Sequence, residues 1–152
     1  WPNLRLLVVG PGNLDIDSIR IISERNLKDL IFTGSVDDHD KARYYKSADI
    51  YCSPATGKES FGIVLLEAMA SGLPIVASAI EGYSSVITDM HDGVLFEPKS
   101  EESLIKHIEK LLNDINLRNN LANNGLKTSK EFKWSIIAER VMKHYLKVLN
   151  NK

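Results

Sequence analysis

This sequence of 152 residues has one cysteine, no long apolar run and no excess of either charge. The lone thiol, Cys52, excludes an intrachain disulfide and fits a reducing, cytoplasmic compartment. No stretch approaches the ~18 consecutive apolar residues of a membrane span. The opening Trp1-Pro2-Asn3-Leu4-Arg5 lacks the charged region and apolar core of a signal peptide. A start methionine is also missing, so we expect a piece of a longer protein. A net charge of -1 is far from the basic excess that a nucleic-acid footprint requires, so no nucleic-acid partner is expected. What is present is an ordinary globular composition, 43% hydrophobic and 26% charged, in a chain long enough for a compact domain with its own core.

Short apolar runs alternate with helical patterns along the chain. Leu6-Leu7-Val8-Val9 reads as a buried strand ended by the turn Gly10-Pro11-Gly12. Asp15 to Arg25 places Ile16, Ile19 and Ile22 at helical spacing. Leu30 to Thr33, Ile50 to Ser53, Pro74 to Ala77 and Gly93 to Phe96 read as further strands. Between them lie helical stretches: Asp38 to Ser47, with Asp38 as cap or first-turn residue, Ile63 to Ser71, closed by Gly72, and a short one from Tyr83 to Ile87. Three helices follow, Ser100 to Asn113, Asn116 to Glu131 and Trp134 to Asn150. No internal repeat or low-complexity segment interrupts this order.

Four-residue apolar strands alternating with helices predict an α/β domain: a doubly wound, Rossmann-like parallel sheet with helices on both faces. Ligands in such sheets sit beyond the carboxyl ends of the strands. Here those ends are Gly10 to Gly12, Gly34 to Asp37, Ser53 to Phe61 and Ser78 to Gly82.

The most informative of these ends runs into the helix Ile63 to Ala70. That helix is apolar around its circumference, which predicts burial on all sides, yet it carries Glu67. A carboxylate there needs a partner, either a structural lysine, arginine or backbone amide, or a ligand hydroxyl. Gly62, just before the helix, permits close approach of backbone and ligand. The first amides of the helix have no internal acceptor and carry the positive end of its dipole, which suits a diphosphate. Glu59 lies ahead of this anion site, eight positions from Glu67. Alone it reads as a solvated loop charge. Together with Gly62 and Glu67 it reads as one of two carboxylates flanking the helix start, one facing a sugar and the other a ribose.

The run Lys58-Glu59-Ser60-Phe61-Gly62-Ile63-Val64-Leu65-Leu66-Glu67-Ala68-Met69-Ala70 resembles the two-glutamate motif of retaining GT-B glycosyltransferases of family four. Gly34-Ser35-Val36-Asp37-Asp38 with Lys41 is similar to the phosphatidylinositol mannosyltransferase branch. The resemblance extends from Arg5 to about Tyr145. It implies that residues 1–152 form the C-terminal, nucleotide-sugar-binding domain of a GT-B enzyme, truncated at its N-terminal edge, with the acceptor-binding domain absent. By the same resemblance Glu59 contacts the transferred sugar and is the catalytic residue. Glu67 holds the ribose, and Ser60 with the amides of Phe61, Gly62 and Ile63 binds diphosphate or sugar oxygens. Gly10 and Gly12 form a phosphate-side turn that is a weak signal alone, lacking the third glycine of a dinucleotide fingerprint. Val36, Asp38 and Lys41 match the positions that recognise guanine, which implies GDP-mannose as donor, although a helix cap would explain Asp38 equally well.

The reaction implied is transfer of a hexose to an acceptor hydroxyl, lipid-linked or on a glycan, with retention of configuration. The full enzyme could then be peripheral to a membrane. The donor is a substrate, and no cofactor is expected. No metal is expected either, since His39, His91, His107 and His144 are scattered and form no evident ligand set. The family's diphosphate-clamping Arg and Lys precede the first residue here, so the fragment alone is expected to bind nucleotide weakly and to transfer nothing. Ile136, Ile137, Val141, Tyr145, Val148 and Leu149 form an apolar stripe on the last helix, for which packing within the domain and docking on the missing N-terminal domain are competing explanations. The site residues speak against other classes. A nucleotide-sugar epimerase would need extra acid/base groups facing the sugar, a phosphorylase a cofactor lysine, and a non-catalytic nucleotide-binding module would have lost Glu59 or the glycine turn.

Overall fold

The computed structural model describes residues 3–150. They form two compact units that divide between Tyr44 and Tyr45.

In the first unit β1 (Leu6–Val9) and β2 (Leu30–Gly34) pair in parallel, Leu6 opposite Leu30, with a register irregularity between Val8 and Val9. The crossover is α1 (Ile16–Glu24), whose start is set by Asp15: its carboxylate accepts from the Ser18 amide at 2.6 Å. The strand boundaries match the sequence pattern, but the burial expected for β1 does not hold. Leu6, Val8 and Val9 are exposed, as are Ile31 and Phe32 of β2 and Ile16, Ile19 and Ile21 of α1. Two strands and one crossover cannot cover both faces of their own sheet. α2 (Asp38–Ser47) begins in this unit and carries the division.

The second unit contains β3 (Tyr51–Ser53), β4 (Ile75–Ser78) and β5 (Val94–Phe96), all parallel and in that spatial order. The central strand β4 is fully buried, and its alternating side chains feed two cores. Ile75 and Ala77 join Leu65, Ala68 and Met69 of α3 (Ile63–Ala70) and Tyr83 of α4 (Glu81–Ser84). Val76 joins Val94, Phe96, Leu111 of α5 (Glu101–Asn113) and Leu121 of α6 (Ile115–Glu131). Parallel strands buried on both faces between helices give the expected α/β, Rossmann-like class. α6 also packs on α3, where a Cβ on Gly125 would lie 3.1 Å from the Met69 side chain.

Two helix starts differ slightly from the pattern because capping chemistry decides them. Ser100 Oγ accepts from the Ser103 amide at 3.1 Å, so α5 begins at Glu101. Asp114 Oδ1 accepts from the Leu117 amide at 2.9 Å, so α6 begins one residue before the expected Asn116. α4 is centred earlier than the expected Tyr83 to Ile87, because the chain turns helical directly after the end of β4, at Glu81. None of the described residues of α7 (Trp134–Asn150) is buried. Ile136 and Ile137 are half-buried, whereas Val141, Tyr145, Val148 and Leu149 are exposed, so packing within the unit does not account for the stripe.

Candidate active site

The residues singled out in the sequence fall on both sides of the division. In the first unit, the carboxyl ends of the two strands meet: the Gly10 amide donates to the Gly34 carbonyl at 3.0 Å, which sets the Gly10 to Gly12 turn beside the loop that carries Val36. Asp37, rather than Asp38, caps α2, its Oδ1 accepting from the Asp40 amide at 2.8 Å. Asp38 is the first helical residue, its side chain 98% exposed, with Lys41 Nζ 3.1 Å from its Oδ1. The cap explanation of Asp38 is thereby removed.

The expectation that no histidine joins a carboxylate cluster is corrected. Asp37, His39 and Asp40 bring their ligand atoms within 4.8 Å of one another. Each carboxylate is already engaged: Asp37 caps the helix, and Asp40 Oδ1 lies 3.2 Å from Arg43 and 3.7 Å from His39. The grouping follows from helix-start acids within one turn, a common surface arrangement.

In the second unit, residues 59–63 form a continuous rim between β3 and α3, with the Glu59 backbone against Gly82, just beyond β4. Three contacts tie β3 and the loop after it to the end of β4 and to α4. Ser78 Oγ, at the end of β4, donates to the Ala55 carbonyl. Ser53 Oγ and Tyr83 Oη are 2.7 Å apart in the buried core. Tyr83 in turn lies against Gly62, where a Cβ would come within 2.7 Å of its ring. Gly62 also adopts φ 79° and ψ 52°, a left-handed conformation costly for any side chain. Both its backbone and its surroundings therefore require glycine, and this bend aims the chain into α3.

The start of α3 is open. No side chain caps Gly62, and Ile63 and Val64 are 59% and 37% exposed. The all-round burial expected for this helix is thus corrected: Leu65, Ala68 and Met69 are buried, while the first turn faces outward. The uncapped amides and the helix dipole make that end a receptor for anionic oxygen. Glu59 is exposed at the rim. Phe61, 38% exposed, stacks in a tilted pair with Phe132, the residue that closes α6, ring centroids 5.7 Å apart.

Glu67, one turn into α3, is half-buried, and its Oε2 accepts from the Tyr45 hydroxyl at 3.2 Å. Burial pushes the Tyr45 phenol far above its ordinary range, and Tyr51 and the Glu67 charge push in the same direction, so Tyr45 stays a neutral donor. Burial likewise raises Tyr51 and pushes the Cys52 thiol up to about 11.

Glu59 thus precedes, and Glu67 lies within, a helix whose start is opened by glycine. The profile described as "Glycosyl transferases group 1" matches residues 1–128. The chain belongs to the group 1 glycosyl transferases. It is 39% identical over 150 residues to the phosphatidyl-myo-inositol mannosyltransferase of Mycobacterium tuberculosis, covering 95% of this chain and 39% of that protein. Among solved structures it is similar to the sucrose-phosphate synthase of Thermosynechococcus elongatus, with TM-score 0.82 and 29% identity over 97% of this chain and 39% of that one. It is also similar to the C-terminal domain of a glycosyl transferase group 1 family protein from Francisella tularensis, with TM-score 0.77 and 29% identity over 87% of this chain and 71% of that one. The chain thus spans about two fifths of the curated mannosyltransferase it matches. The C-terminal half of a GT-B fold, expected from the two-glutamate motif, is the architecture found. Among the described residues, no helix is long and apolar enough to cross a membrane.

Sequence reasoning on this group 1 chain missed Ser53, Gly82, Tyr83 and Tyr45. Gly82, in α4, ends the stretch Ser78 to Gly82 that the sequence marks as a strand's carboxyl end, and its position beside Tyr83 was a usable signal. Nothing in the spacing of Tyr45 connects it to Glu67, 22 residues away.

Proposed function

We propose that this chain is the donor-binding half of a retaining hexosyltransferase that moves mannose from GDP-mannose to an acceptor hydroxyl. The observation that carries the reading is the open tip of α3, bent by Gly62 and flanked by Glu59 and Glu67. The diphosphate lies against the amides of Phe61, Gly62 and Ile63, with Ser60 as a further polar contact. Glu67 accepts from the ribose hydroxyls. Glu59 contacts the sugar undergoing transfer. Val36, Asp38 and Lys41 recognise the base, and the exposed Asp38 carboxylate is suited to accept from the N–H edge of guanine, an edge that uracil does not offer in the same form.

As the glycosidic bond breaks, the sugar takes on oxocarbenium character and the diphosphate gains negative charge. Helix amides oriented in advance stabilise that charge where it develops, without a metal or cofactor in the step. Retention follows if the acceptor enters on the face the diphosphate leaves. Glu59 acts as an orienting and charge-stabilising group, not as a covalent nucleophile. The acceptor, lipid-linked or on a glycan, is bound by a separate N-terminal domain, consistent with the length and name of the mycobacterial relatives. The exposed apolar face of α7 supports docking of that domain on this one. The whole enzyme then works at the cytoplasmic side, peripheral to a membrane.

The test is a donor screen on the full-length protein by thermal shift and transfer assay. GDP-mannose should give the largest stabilisation and Glu59→Gln should abolish transfer while leaving donor binding. Tighter binding of uridine diphosphate than guanosine diphosphate would sink the guanine assignment, and inversion at the product anomer would sink retention.

A further inference from the structure

Glu67 has a carboxylate on a flexible stem, and fixing such a stem has an entropic cost. Its Oε2 accepts from Tyr45, which comes from a different helix, α2, 22 residues earlier in sequence. The tyrosine is itself fixed: its ring meets Tyr51 of β3 edge-on, with centroids 5.4 Å apart and planes at 72°. Tyr51 is anchored in turn by the parallel pairing of β3 with β4, opposite Ile75 at the centre of the core. The position of the Tyr45 hydroxyl is therefore set by the sheet, not by the surface. The hydrogen bond at 3.2 Å is long for O–H···O, so it directs the carboxylate more than it binds it.

We infer that Tyr45 is a positioning residue for Glu67: its hydroxyl holds the carboxylate in the orientation that receives the donor's ribose diol, so that Tyr45 sets selectivity for ribose over deoxyribose donors. The inference rests on the reading of Glu67 given above. The phenol, being neutral, orients the carboxylate without adding a charge of its own.

The experiment compares GDP-mannose with its 2′-deoxy and 3′-deoxy analogues on the full-length enzyme, in wild type, Tyr45→Phe, Glu67→Gln and the double variant. Phenylalanine keeps the ring against Tyr51, and a melting curve checks that the fold survives. Wild type should prefer the ribose donor. Tyr45→Phe should reduce that preference about three- to tenfold, the worth of one hydrogen bond, through donor KM and with kcat little changed. The double variant should be no worse than Glu67→Gln alone, because both changes remove the same interaction. Equal losses on ribose and deoxyribose donors, or no loss on either, would overturn the role of Tyr45 while leaving that of Glu67 intact. Additive losses in the double variant would overturn it as well. Failure of Glu67 itself has a different signature: wild type and Glu67→Gln would treat all three donors alike.

Discussion

The backbone carbonyl of Glu59 occupies the space where a side chain on Gly82 would begin: a Cβ there would stand 2.1 Å from the Glu59 oxygen and 3.0 Å from the Ser60 carbonyl carbon. The obstacle is backbone, so no rotamer change relieves it. Gly82→Ala should therefore push the Glu59–Ser60 rim outward. We expect donor KM to rise at least tenfold, with an overpacking cost of about 1–3 kcal/mol in stability. Donor kinetics and a thermal melt on the same variant check this. Unchanged KM would mean that the rim does not touch the donor.

Cys52 lies in β3 with its thiol raised by burial from 9.0 to about 11. The thiolate is the reactive form, so native Cys52 should resist iodoacetamide near pH 8 and react on unfolding. The sign for stability follows from proton counting. Between about pH 9 and 11 the unfolded chain gives up a proton that the folded chain keeps, so stability falls as pH rises through that window. Tyr45 and Tyr51, also raised by burial, act in the same direction. Mass-spectrometric labelling against pH, with and without denaturant, reads the first effect, and melts from about pH 8 to 11 read the second.

The α/β class, the parallel pairing and the glycine-opened start of α3 were legible because each rests on local pattern: four-residue apolar runs and a glycine ahead of an apolar helix. Burial was not legible where it depended on what lies alongside. Leu6 and Val8 have the composition of a central strand but are exposed. Ile63 and Val64 have the composition of a core helix but form an outward-facing tip. Long-range partners were hidden for the same reason. The contacts Tyr45–Glu67, Ser53–Tyr83 and Phe61–Phe132 join positions 22, 30 and 71 apart, and no periodicity encodes them.

The Phe61–Phe132 pair couples the rim to the joint between α6 and α7. An aromatic pair of this kind is worth about 0.5–1.5 kcal/mol beyond its buried area. Phe132→Ala should loosen the loop that presents the Phe61 amide, raising donor KM several-fold with a smaller effect on kcat. Phe132→Leu, which restores bulk but not the ring, should recover only part of the loss. Initial-rate kinetics of the two variants separate lost volume from lost ring geometry.

Two adjacent aspartates open α2, and of the two it is Asp37 that caps it. Asp37 caps the helix through the Asp40 amide, so Asp37→Ala should cost about 1 kcal/mol and lower the melting temperature without altering which nucleotide is preferred. Asp38 is almost wholly exposed and makes a surface pair with Lys41, the kind of contact worth at most about 1 kcal/mol. Asp38→Ala should therefore leave the melt nearly unchanged and lower the preference for guanosine over uridine diphosphate by about tenfold, the value of one hydrogen bond to a charged group. Titration calorimetry with both nucleotides, alongside melts of both variants, makes the comparison. If the base preference follows Asp37 and not Asp38, the guanine contact belongs to the loop backbone, and the Asp38 carboxylate has no part in choosing the donor.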